Sequence, residues 1–144
     1  MKFKAAKKFL TRLALGSGIL LIPARSNAQA DPEIRTERIE WAPGSGSTVV
    51  TDSISGYQIA DYLFQITAGQ YMNISMATRN GANYFNIMEP GEEYEAVFVG
   101  STSGNLFEGV ADKSGEYRIR VYLMRSAARR DETVWYRLEV IRGE

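Results

Sequence analysis

The sequence predicts an all-β protein, an antiparallel β-sandwich of about eight strands in a single domain. Three observations carry this. Apolar and polar residues alternate with a period of two almost throughout, β-branched and aromatic residues fill the alternating runs, and Gly-bearing turns interrupt those runs at short intervals. No helical period is sustained anywhere, and many short alternating strands of this kind argue for packed sheets.

Strands are expected near residues 34–41, 48–54, 59–67, 70–78, 83–88, 94–99, 115–124 and 133–142, with a weaker one near 106–111. The stretch APGSGS, residues 42–47, reads as a flexible loop between the first two. GYQIADYLFQITAGQYMNISM, residues 56–76, reads as two strands joined by a tight turn at Ala68-Gly69-Gln70, with Met72, Ile74 and Met76 on one face and Tyr71, Asn73 and Ser75 on the other. Asn80-Gly81 is a hairpin or turn pair, and Pro90-Gly91, Ser103-Gly104 and Ser114-Gly115 punctuate the C-terminal half of the chain. In EYRIRVYLM the residues Tyr117, Ile119, Val121 and Leu123 share a face opposite Arg118, Arg120, Tyr122 and Met124. In TVWYRLEVI, Val134, Tyr136, Leu138 and Val140 alternate with Trp135, Arg137, Glu139 and Ile141.

Residues 1–30 read as a targeting segment rather than as part of the fold. Lys2, Lys4, Lys7, Lys8 and Arg12 precede an apolar run from Leu13 to Ile22, and Ala28-Gln29-Ala30 supplies the small residues of a cleavage site. The apolar run is too short to span a bilayer, and with no Cys in the chain a lipid cannot be attached through one. The expected mature chain, 31–144, is a soluble periplasmic domain with no stable membrane anchor. Six of the 17 basic residues and none of the 17 acidic ones lie in residues 1–30, so 31–144 carries 11 basic and 17 acidic residues, a net of −6. That balance argues against nucleic acid, which requires a basic footprint. It suits either solubility alone or electrostatic attraction of a cationic partner.

The missing residue types narrow the chemistry further. Without His or Cys there is no Ser-His-Asp triad, no thiol nucleophile and no site built from imidazole or thiolate ligands. No cofactor is expected. Two carboxylates such as Glu92 and Asp112 could flank a glycosidic bond, but nothing in the sequence pairs them, and the chain is read as a non-enzyme.

RSAARRDET, residues 125–133, concentrates positive charge between the last two long strands. If Ser126–Arg130 makes one helical turn, Arg125 and Arg129, four positions apart, project from one side. Two guanidinium forks side by side suit carboxylates, each of which can be held by two parallel hydrogen bonds. The competing reading is that these arginines pair with Asp131, Glu132 or a carboxylate on a neighbouring strand. Tyr57, directly after Gly56, is either an aromatic capping the core edge or an exposed interface anchor.

Taken in order, Gly56-Tyr57, Tyr62 and Phe64, Gly69-Gln70, Ala82 and Tyr84 before Pro90-Gly91, Ser114-Gly115-x-Tyr117-x-x-Arg120-Val121, Arg125-x-x-Ala128-Arg129 and Tyr136 resemble the bacterial periplasmic inhibitors of g-type (goose-type) lysozyme. The likeness runs from Ser53 to Val140, and Glu92–Lys113 departs from the pattern. The resemblance implies an eight-stranded antiparallel sandwich that plugs the active-site cleft of a g-type lysozyme, with Tyr57, Arg125 and Arg129 as the inhibitory contacts. A different class of reading is a sandwich module that binds carbohydrate or peptidoglycan directly through an aromatic platform, with Tyr71, Tyr84 or Trp135 as members. The exported protein is expected to begin at Asp31, which N-terminal sequencing checks; a terminus containing Lys2 in a membrane fraction would contradict the expectation.

Overall fold

The computed structural model describes residues 31–143; the expected signal segment 1–30 and its cleavage point lie outside the described residues. Within them are nine strands and two short helices: β1 (Ile34–Arg38), β2 (Ser47–Ser55), β3 (Ile59–Ile66), β4 (Tyr71–Thr78), β5 (Asn83–Met88), β6 (Ala96–Val99), α1 (Gly100–Ser103), β7 (Leu106–Val110), β8 (Gly115–Leu123), α2 (Arg125–Arg129) and β9 (Thr133–Arg142). They form two sheets, sheet 1 in the order β1-β3-β8-β5-β6 and sheet 2 in the order β2-β9-β4-β7. The all-β sandwich read from the period-two pattern is the fold, and the weak ninth strand near 106–111 is β7.

Two expectations change in detail. β1 pairs with β3 in parallel, against the otherwise antiparallel pattern. The chain leaves sheet 1 for β2 in sheet 2 and returns as β3, so strands one crossing apart run the same way. The tight turn at Gly69 does join β3 to β4, but those strands belong to opposite sheets. The buried face of β3 (Tyr62, Phe64, Ile66) and that of β4 (Met72, Ile74, Met76) meet across the core. Two strands that each bury one full face gain more by roofing one another than by lying side by side.

β8 and β9 are the longest central strands, each flanked on both sides. Ile119, Val121, Leu138 and Val140 on these strands are completely buried, as their alternation predicts. Between the sheets, the Tyr62 and Tyr136 hydroxyls lie 2.6 Å apart, and their rings meet edge to face at 6.4 Å. A buried phenol costs free energy unless its hydroxyl is paired, and these two satisfy one another across the core. The departing segment Glu92–Lys113 supplies β6 and β7, one edge of each sheet, joined through α1.

Burial pushes the Tyr136 phenol well above the ordinary tyrosine range and raises that of Tyr62 as well. The folded state therefore holds protons that the unfolded chain releases near pH ~10. Stability from this source is intact below that pH and is lost as pH rises through it. Chemical denaturation from about pH 8 to 11 should show the native protein losing stability more steeply than the double variant Tyr62→Phe/Tyr136→Phe. Parallel profiles would contradict the assignment.

Candidate partner-binding surface

Because β8 and β9 are central in different sheets, the segment joining them must cross the open end of the sandwich. α2 does so and closes it. Ala127 and Ala128 are buried (0% and 3% exposed) and belong to the core cluster, while Arg125, Ser126 and Arg129 face solvent. Alanine is the strongest helix former, and two small side chains in a row let a single turn sit flat on the core edge. The turn is tied in at its start by Met124, whose N–H donates to the Ala82 carbonyl at 2.8 Å. It ends at Asp131, whose φ of 53° puts a non-glycine residue in the left-handed region that stops a helix.

The β2–β3 turn abuts α2. Ser55 pairs with Thr133 at the end of the β2–β9 ladder, and their hydroxyls lie 2.7 Å apart. The next residue, Gly56, donates its N–H to the Glu132 carbonyl at 2.9 Å. Gly56 has φ of 56°, and a Cβ there would stand 2.5 Å from Asp131 Oδ1 and 3.6 Å from the Ala128 carbonyl oxygen. Only glycine fits this seam without a shift, and the seam sets the residue before Tyr57 against the end of α2. Tyr57 is 38% exposed and borders a shallow cleft with Ile59, Asn86, Arg120 and Tyr122. Its ring is thus neither buried as a core-edge cap nor fully exposed.

The charges at this end divide sharply. Arg130 bonds Glu132 through Nε and Nη2 at 2.8 and 2.6 Å, and Asn80 donates to the other Glu132 oxygen at 2.8 Å. Asn80 first and Arg130 second hold the Glu132 carboxyl below its usual range. Among the described residues Arg125 and Arg129 have neither an ion pair nor a side-chain hydrogen bond. Self-pairing therefore accounts for Arg130 and leaves the two arginines four positions apart free.

Behind Tyr57, sequence reasoning missed a buried ion cluster. Asp61 on β3 is 2% exposed and accepts two hydrogen bonds from Arg120 on β8 at 2.8 and 2.9 Å, with Arg118 at 3.6 Å. Asp61 and Arg120 are direct partners in the β3–β8 register, which a single sequence does not reveal. The cluster fixes the outer face of sheet 1 beside the Tyr57 cleft. The aromatic platform does not assemble: Tyr84 lies on β5 in sheet 1, and Tyr71 and Trp135 lie at opposite ends of sheet 2.

No protein-family model matches the chain, and no curated protein does. Solved structures do. PliG of Aeromonas hydrophila, described as a periplasmic lysozyme inhibitor of g-type lysozyme, is 33% identical with a TM-score of 0.70, the match covering 77% of this chain and 98% of that one. Salmonella Typhimurium PliG, described in the same words, is 23% identical with a TM-score of 0.59 over 75% of this chain and 97% of that one. The pre-peptidase C-terminal domain of a Bacillus anthracis collagenase is 22% identical with a TM-score of 0.55 over 76% and 96%. The last two likenesses speak to the fold alone, which is shared by proteins with different tasks.

Gly56→Ala should lower stability by about 1–2 kcal/mol, the cost of a left-handed alanine, and should displace Asp131. Gly81→Ala, with open space at its Cβ, should be close to neutral. Denaturation midpoints of the two variants check this; equal midpoints would mean the seam is not close-packed.

Proposed function

The chain belongs to the family of periplasmic inhibitors of g-type lysozyme, and we propose that it acts as one in the periplasm, inserting α2 and Tyr57 into the lysozyme's active-site cleft. The observation that supports this reading most directly is the pair of unpartnered arginines, Arg125 and Arg129, on the helical turn that closes the sandwich, in a chain whose acidic residues outnumber its basic ones from Asp31 onward.

The physical logic is differential. A glycoside-hydrolysing cleft holds carboxylates, and a planar guanidinium binds a carboxylate through two parallel hydrogen bonds. Arg125 and Arg129 give up no internal partner on binding, so the pairs they form are not offset by pairs broken. α2 is rigid because its buried alanines and the Gly56 seam fix it, so little ordering entropy is lost on docking. Tyr57 adds an aromatic surface to the same end. At longer range the net-negative body attracts a cationic enzyme and raises the association rate, an effect that salt screens. The inhibitor acts by occupying the cleft and performs no chemistry.

Arg125→Ala and Arg129→Ala should each weaken inhibition of a g-type lysozyme by about 2–5 kcal/mol, roughly 30-fold to several thousand-fold in Kd, mostly through faster dissociation. Melting temperatures should barely move. Arg130→Ala removes only an exposed internal pair and should cost under about 1 kcal/mol. Arg125→Lys keeps the charge without the fork and should recover only part of the affinity. Tyr57→Ala should also bind less well. Wild-type dissociation constants across all five variants, or losses that simply follow lost stability, would place the interface elsewhere.

A further inference from the structure

The distribution of arginine partners reaches beyond α2. Residues 31–143 contain ten arginines. Among the described residues six lie within ion-pair distance of a carboxylate: Arg35, Arg38, Arg118, Arg120, Arg130 and Arg137. Arg142, near the end of β9 remote from α2, instead stacks on the Trp41 ring at 4.3 Å. The remaining three are Arg125, Arg129 and Arg79. Arg79 follows the last paired residue of β4, Thr78, which stands opposite Tyr136. It therefore lies beside Trp135, at the same end of the molecule as α2.

Trp135 is 68% exposed on the outer face of sheet 2. With Arg79 it borders a shallow groove whose other walls include Thr51, Ala77, Thr78 and Thr133. Side-chain contacts link the groove to the residue that follows α2: Asn80, next to Arg79, bonds Glu132, which holds Arg130. A single exposed Trp on a β-sheet is unremarkable by itself. Here it stands beside an unpaired guanidinium in an acidic chain, joined to a helical turn bearing the other two. Trp and Arg are also the residue types that dominate interface energetics when desolvated.

We propose that the Trp135–Arg79 groove is a second docking flank for the same lysozyme, resting on the reading of α2 and Tyr57 as the cleft-binding tip. α2 closes the end of the sandwich, Tyr57 stands on its sheet 1 side, and Trp135 with Arg79 stands on its sheet 2 side. The end is a wedge with an aromatic on each flank, and a cleft has two walls. Trp135 packs against an apolar part of one wall, while Arg79 takes a carboxylate at its rim. The groove thereby sets which lysozymes are accepted, because the walls of the cleft are free to differ where its catalytic carboxylates are not.

The test measures dissociation constants of the mature chain for a purified goose-type lysozyme, with melting temperatures and retention on purified peptidoglycan in parallel. Trp135→Ala should weaken binding by about 30-fold and Arg79→Ala by about 10-fold, both with unchanged melting temperature. Tyr71→Ala, an exposed aromatic at the far end of the same sheet, should bind as wild type. If Arg125→Ala loses affinity while Trp135→Ala and Arg79→Ala do not, the flank is overturned and the tip stands. Loss of peptidoglycan retention in Trp135→Ala with lysozyme binding intact would also overturn it and make the groove a glycan site. If the wild-type chain binds no g-type lysozyme, the proposed function fails and the flank fails with it.

Discussion

The Gly56 turn and α2 share a seam on which the geometry of the whole exposed end depends. α2 has a single turn and no stability of its own, since isolated helices of that length do not form in water. It holds its shape because Ala127 and Ala128 are part of the core and because the carbonyl of Glu132 and the side chain of Asp131 are packed against a residue without a Cβ. The same contact fixes where Tyr57 stands. One steric constraint at Gly56 thus sets the relation between an aromatic on one strand connection and two arginines on another, 68 and 72 positions further along the chain.

Charge is distributed around that constraint with a clear division of labour. Arginines on the sheet faces and strand edges are tied down. Asp61 with Arg120 and Arg118 forms a buried cluster, Arg35 reaches across to Asp52, and Arg38 meets Glu116. The exposed members of this set contribute little individually to stability, but they neutralise basic groups locally. At the α2 end that neutralisation stops after Arg130. Among the described residues, the arginines with neither a carboxylate nor an aromatic partner are thereby confined to one end, since Arg142 at the other end stacks on Trp41.

The family likeness and its departure have a common structural origin. The residues that carry the likeness lie on the central strands β3, β5, β8 and β9, on α2 and on the turns that flank these strands. On those strands each residue has neighbours on both sides within its sheet. The departing stretch Glu92–Lys113 forms β6, α1 and β7, at the sheet edges. An edge strand pairs on one side only, so fewer contacts dictate its sequence, provided it keeps its alternation and does not invite further pairing.

The sequence by itself determined the strands and their buried faces, and it left a helical turn over Ser126–Arg130 as a conditional reading that the structure realises at Arg125–Arg129. These follow from local rules: period-two alternation, glycine at turns, and alanine between arginines spaced by one helical turn. Its residue types also removed imidazole and thiol chemistry before any fold was known. What only the tertiary structure decided depends on which strands become neighbours. The parallel β1–β3 pair, the crossing of β3 and β4 to opposite sheets, the Asp61–Arg120 pair, and the meeting of Gly56 with Asp131 all join residues distant in sequence. No local pattern encodes such pairings, because they are set by the packing of two amphipathic sheets around one core. The partners of the arginines belong to the same class. Arg129 and Arg130 are adjacent and chemically identical in the sequence, and only the position of Glu132 at the β9 entry binds one and leaves the other free.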